Sequence, residues 1–131
     1  MGFKEKYGQN VAVIGASVDR SRYSNKAVRA FRAAGYNVFP VNPNEAVIQG
    51  LVCYARLADI PSGIDFASLY LNPRISLTTD IAGQLKSKGI EMVIVNPGAE
   101  SDELIEKLYA VGIEAQMICS LRALGVEPEE F

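Results

Sequence analysis

The sequence predicts an α/β fold: a Rossmann-like three-layer sandwich with a mostly parallel sheet of five to six strands. Three observations predict it. Short apolar runs alternate with segments of helical spacing along the whole chain. A phrase of helix, glycine, apolar residue, polar residue and strand recurs at Gly35-Tyr36-Asn37, Gly89-Ile90-Glu91 and Gly112-Ile113-Glu114, the rhythm of right-handed βαβ units. Three strand-like segments also end alike: Val38–Val41 runs into Asn42-Pro43, Leu69–Leu71 into Asn72-Pro73, and Val93–Val95 into Asn96-Pro97. Proline lacks the N–H that a central ladder needs, so each dipeptide is read as a strand's end. Parallel strands would set all three tips on one edge, where open α/β sheets bind ligands.

The elements follow in order. Met1–Lys6 leads straight into a strand at Asn10–Gly15, an apolar run of the kind buried in parallel sheets. Ser24-Asn25 can cap a helix whose apolar positions are Ala27, Ala30, Phe31 and Ala34, with Gly35 as its stop. Asn37–Val41 is the next strand. Glu45–Pro61 is less regular; Val47-Ile48, Val52-Cys53-Tyr54 and Leu57 suggest a short strand with a helical turn nearby. Asp65–Leu71 reads as a strand. Ser76 opens a helix with Leu77, Ile81 and Leu85 on one face, ended by Gly89. After the strand Glu91–Val95, Ser101 caps a helix whose acids Asp102 and Glu103 suit its positive end. Leu104, Leu108 and Val111 face inward there, and Gly112 ends it. Glu114–Ile118 is the last strand, followed by a short helix over Ser120–Leu124, closed by Gly125.

At 131 residues the chain forms one domain, long enough to bury roughly two thirds of its unfolded surface. Hydrophobic residues make up 49% and charged residues 21%, and the net charge is −2. That balance gives no general attraction to nucleic acid or an anionic membrane, so any anion site must be local. No apolar run approaches the ~20 residues of a membrane span, and no secretory signal is visible. A Met-Gly start permits N-myristoylation on paper, but Lys6 stands where Ser or Thr is wanted. Cys53 and Cys119 fit neither a disulfide framework nor a zinc site. A cytoplasmic protein is expected. The absence of histidine excludes Ser-His-Asp and Cys-His arrangements within the chain and removes the commonest metal ligand.

The first βα loop is the phosphate-binding place of a doubly wound fold. Here Gly15-Ala16-Ser17 replaces the G-x-G-x-x-G of dinucleotide binders; taken alone, the tripeptide is a strand-ending turn. Arg20, Arg22, Tyr23, Ser24, Asn25 and Lys26 follow it. Three cations beside a helix start in a slightly acidic chain favour a phosphate-bearing ligand. An NAD site would carry an acid at the second strand's end. That place holds Val41-Asn42-Pro43, with no carboxylate before Glu45, and Asn42 could touch a base or ribose. Pro97-Gly98 leaves backbone room beside Asn96 for a narrow, extended ligand arm. Arg74 after the second tip meets a phosphate or lies solvated. Cys119 is by default inert; its functional reading is pairing with a thiol-bearing ligand.

These segments together resemble the small stand-alone CoA-binding proteins, whose fold is that of the CoA-binding domain of succinyl-CoA synthetase alpha subunits. The resemblance is carried, in the family's order, by Val13–Ser17, Arg22–Lys26, Gly35–Val38 with Pro40–Asn44, Gly50–Tyr54, Asn96–Ser101 and Cys119. It implies that Gly15, Ala16, Ser17, Arg22, Ser24, Asn25 and Lys26 surround the nucleotide phosphates. Val41, Asn42 and Pro43 would border the adenosine. Leu71, Asn72 and Pro73 would line the pantetheine path, with Asn96, Pro97 and Gly98 nearer its far end. The chain departs from the family at Ser24, where many relatives have glycine, and at Asn96, where glutamine is more usual. The synthetase's phosphorylated histidine belongs to another domain, so ligase activity does not carry over. The resemblance implies a binder of coenzyme A or an acyl-CoA without autonomous catalysis, acting alone, as a homo-oligomer or with a partner subunit. The competing readings are an NAD(P)-binding oxidoreductase, an acyl transferase using Cys119, and a redox- or nucleotide-sensing subunit.

Overall fold

A computed structural model describes residues 3–131; Met1 and Gly2, and with them the acylation reading, lie outside the described residues. The elements are α1 (Phe3–Tyr7), β1 (Asn10–Ile14), α2 (Tyr23–Ala33), β2 (Asn37–Val41), β3 (Val47–Ile48), β4 (Leu51–Val52) and a 3₁₀ turn at Leu57–Asp59. Then come β5 (Phe66–Leu69), α3 (Pro73–Thr78), α4 (Ile81–Ser87), β6 (Met92–Val95), α5 (Asp102–Ala110), β7 (Glu114–Gln116) and α6 (Ser120–Ala123).

Five strands form one parallel sheet in the order β2-β1-β5-β6-β7. Ile14 lies opposite both Val41 and Leu69, Leu69 lies opposite Val95, and Ile94 opposite Gln116. The strand ends are therefore level, and the loops that follow them share one rim. The chain winds outward in both directions from β1 and β5, which makes the gap between these strands the switch point of a doubly wound sheet.

Side-chain alternation builds two cores, one on each face. Ala12, Ile14, Ala67, Leu69, Val93 and Val95 pack against Ile81, Ala82 and Leu85 of α4 and Leu104 and Leu108 of α5. Val11, Val13, Phe66, Met92 and Ile94 pack against Ala27, Val28 and Phe31 of α2, with Phe3 and Tyr7 at the margin. Three layers result. No described helix is long and apolar enough to cross a membrane.

Several boundaries differ from the sequence reading, each for a physical reason. The chain does not run straight into β1. Phe3 and Tyr7 form a helical turn that stacks its rings on Phe66, with centroids 5.2 and 6.5 Å away. The irregular stretch after β2 is an antiparallel hairpin, with Val47 opposite Val52. Its tip, Gln49-Gly50, has positive φ at both residues, the two-residue turn that suits strand twist. The helix expected from Ser76 is two helices: α3 starts at Pro73, and Asp80, at φ 52°, breaks the run and caps α4 through Gly83 N. β2 keeps the expected bounds, Asn37–Val41, and inside it stands Pro40. It is tolerated there because β2 is the sheet's outer strand, and Pro40's carbonyl accepts from Tyr54 N at 3.0 Å on that outer side.

Candidate functional site

At the switch point the rim opens into a cleft of about 470 Å³, lined by Gly15, Ala16, Ser17, Ser21, Arg22, Tyr23, Ser24, Asn42 and Tyr70. Gly15 makes the floor possible. It has φ 85°, and a Cβ there would stand 3.1 Å from Leu71 Cδ2 and 3.2 Å from Leu71 N, so the first loop lies directly on the β5 tip. The Gly15 and Ala16 N–H groups both donate to the Val41 carbonyl, at 3.0 and 3.2 Å. They bind the loop to β2 and are spent.

The unspent donors lie one step further along. Helix α2 begins after Arg22, not at Ser24-Asn25, and Arg22 offers no side-chain cap. The Tyr23 and Ser24 N–H groups, in the first turn, have no intrahelical acceptor to reach and take no partner among the described residues. Both residues line the cleft beside the exposed Arg22 guanidinium. Two main-chain donors at the positive end of an 11-residue helix, with a cation alongside, form an anion-binding arrangement.

Asn25 is fully buried and organises the wall. Its Nδ2 donates to the Ser17 carbonyl at 2.8 Å and to Gln49 Oε1 at 3.2 Å, while its Oδ1 accepts from Arg29 Nε at 2.8 Å. Asn42 does similar work: its Nδ2 donates to the Ala16 carbonyl at 2.7 Å, and its Oδ1 accepts from Asn44 N at 2.8 Å. Of the other cations, Arg20 reaches Gln49 Oε1 at 3.4 Å and Lys26 donates to the Pro128 carbonyl at 3.0 Å. Asp19 lies among them, and hydrogen bonds from Ser21 hold its carboxyl below the usual range.

The remaining sequence-named residues sit around the rim, outside the cleft lining. Val41 is buried in the core and Pro43 is exposed. Asn72 caps α3, its Oδ1 accepting from Arg74 N at 2.8 Å, with Pro73 as the first helical residue and the Arg74 side chain exposed. Leu71 is half-buried against Gly15. Pro97 and Gly98 are exposed, and Gly98 N donates to Glu100 Oε2 at 2.8 Å. Asn96 is buried. Its Nδ2 donates to Ser68 Oγ and the Leu69 carbonyl, both at 3.0 Å, and its Oδ1 accepts from Ser120 N at 2.8 Å, which ties β5, β6 and α6 together.

Sequence reasoning did not single out Tyr70 or Ser21. Tyr70 continues the alternation of Phe66 and Ser68, which turns its ring toward α2's face of the sheet. Its hydroxyl is buried without a hydrogen-bond partner among the described residues, while the nearby Ser68 and Ser120 hydroxyls bond each other at 2.8 Å. Burial pushes the phenol well above its ordinary pKa, helped by the neighbouring Cys119. Cys119 is a half-buried free thiol; Cys53 is buried, and burial raises its pKa.

The chain is 30% identical over 99 residues to ADP-forming acetate–CoA ligase II of Archaeoglobus fulgidus, covering 74% of this chain and 14% of that protein. It is 28% identical over 114 residues to the alpha subunit of ADP-forming acetate–CoA ligase II of Pyrococcus furiosus, covering 80% of this chain and 25% of the relative. The chain thus spans a quarter or less of these relatives' length. A solved structure of a conserved hypothetical protein from Pyrococcus furiosus superposes with a TM-score of 0.76 at 30% identity, over 82% of this chain and 91% of that one. The model of the CoA binding domain matches residues 9–125, from the start of β1 to the glycine that ends α6. The chain belongs to the CoA-binding domain family.

Proposed function

We propose that the protein binds coenzyme A or an acyl-CoA across this rim and carries no catalytic machinery of its own. The observation that carries the reading is the pair of unpartnered N–H groups of Tyr23 and Ser24 opening beside Arg22 into the switch-point cleft, in a chain of a CoA-binding family. These donors, with the Ser17 and Ser24 hydroxyls, would take the pyrophosphate. Asn42 and Pro43 would border the adenosine, and the tips at Leu71-Asn72-Pro73 and Asn96-Pro97-Gly98 would guide the pantetheine. Asn25, Asn42 and Asn96 act here by positioning loops, since their amides already hold internal partners. Arg20, Lys26 and Arg74 contribute charge. A dinucleotide fits less well, because the end of β2 offers the amide of Asn42 in place of a ribose-binding carboxylate.

Native mass spectrometry of the purified protein should show retained CoA or acyl-CoA, and calorimetry should give one site per chain. Arg22→Ala is expected to weaken CoA binding about tenfold, as for loss of a hydrogen bond to a charged group, and to lessen the salt dependence of affinity. A wild-type chain that takes up neither CoA nor acyl-CoA in either experiment would overturn the reading.

A further inference from the structure

Two cations of α2 are held by a segment outside the domain core. Lys26 Nζ donates to the Pro128 carbonyl at 3.0 Å, and Arg29 Nη1 donates to the Phe131 carbonyl oxygen at 2.6 Å. The Arg29 guanidinium also stands 5.9 Å from the Phe131 ring centroid. Residues 127–131 are shaped for this contact. A reciprocal capping box between Glu127 and Glu130 closes a 3₁₀ turn over Pro128–Glu130, and Pro128 itself is buried.

Both cations lead back to the cleft. The Lys26 ammonium lies 5.5 Å from the centroid of the Tyr23 ring, which lines the cleft. Arg29 donates from Nε to Asn25 Oδ1 and from Nη2 to the Arg20 carbonyl, both at 2.8 Å, and Asn25 in turn holds the Ser17 carbonyl. The segment is thus joined to the cleft twice: through an ammonium that also stands over the Tyr23 ring, and through a chain of hydrogen bonds ending on the first loop.

We propose that residues 127–131 are a strap that competes with a bound phosphate for Lys26. With the strap docked, the ammonium stays on the Pro128 carbonyl. An arriving phosphate, a stronger acceptor than a neutral carbonyl, draws the ammonium away and loosens the strap. The two states differ in contacts for both ligand and strap, so their coupling is reciprocal. This inference rests on the reading of the cleft as the seat of CoA phosphates.

The test is calorimetry with CoA on the full chain, on a chain ending at Val126, on Lys26→Ala, and on the combined variant. Truncation should tighten CoA binding about three- to tenfold, the net scale of one hydrogen bond, and should do so markedly less in the Lys26→Ala background. Glu130→Ala, which opens the capping box and keeps the strap, should tighten binding about twofold to threefold on the same grounds. Saturating CoA should speed amide hydrogen exchange at Glu129–Phe131. Equal affinity of the full and truncated chains, or a truncation effect undiminished in Lys26→Ala, would overturn the strap while leaving CoA binding intact. Should truncation prevent folding, unchanged affinity in Glu130→Ala overturns it alone. Absence of CoA binding in every variant would remove the site reading, and the strap with it.

Discussion

Asn25 shows how a single residue ties loop, helix and hairpin together. Its amide serves Ser17, Gln49 and Arg29 from a fully buried position. Asn25→Ala would remove all three of these partly buried bonds and should cost about 2–4 kcal/mol of stability by urea unfolding. Tyr70 is the opposite case: its buried hydroxyl meets no well-formed hydrogen-bond partner among the described residues. Tyr70→Phe should change stability at neutral pH by less than about 1 kcal/mol. It should also remove an alkaline effect. The folded-state phenol titrates above its ordinary value of 10.0. Above that pH the unfolded chain therefore loses the proton first, and wild-type stability falls as pH rises. Tyr70→Phe should flatten that fall in denaturation midpoints measured through pH 10 and above; an identical slope would contradict the burial argument. The sequence made residue types legible and not their directions. Asn25 and Asn96 could be picked out as amides at the rim, but whether an amide faces a ligand or a neighbouring carbonyl depends on packing that linear spacing does not encode.

At the scale of elements, the sequence read best where periodicity and glycine stops coincide. Gly35, Gly89 and Gly112 all take positive φ after helices, as their spacing suggested. It read worst where a local side chain decides. The run from Ser76 keeps helical apolar spacing through Leu77, Ile81 and Leu85, so nothing in the pattern reveals a break; the break comes from Asp80 in the left-handed region with its carboxylate on Gly83 N. A Cβ at Gly83 would collide with the Asp80 carboxylate. Gly83→Ala should therefore bring no stabilisation, because a lost cap of about 1 kcal/mol offsets alanine's similar gain in helix propensity; a clearly raised thermal midpoint would contradict the cap. Asn72→Ala should cost a similar ~1 kcal/mol through the cap of α3. The hairpin was likewise illegible as two strands because each spans only two residues, too short for alternation to show.

For the molecule as a whole, parallel pairing converts three Asn-Pro tips and one glycine loop, scattered over some eighty residues, into neighbours on one rim. The registers Ile14 with Val41 and Leu69, and Leu69 with Val95, do this directly. That convergence was legible because buried parallel strands read as continuous apolar runs. The strap was not, since Glu127–Phe131 has no pattern of its own and acquires meaning only through contact with α2. The central claim is that phosphates of CoA settle at the start of α2 and on no other surface. The most direct measurement is amide chemical-shift mapping by NMR during a CoA titration. The largest shifts should fall on Tyr23 and Ser24, with smaller ones on Ser17, Arg22 and Asn42. Shifts clustered instead around Asp80, Gln84 and Lys88, which line a separate groove beside α4, or no shifts at saturating CoA, would contradict it.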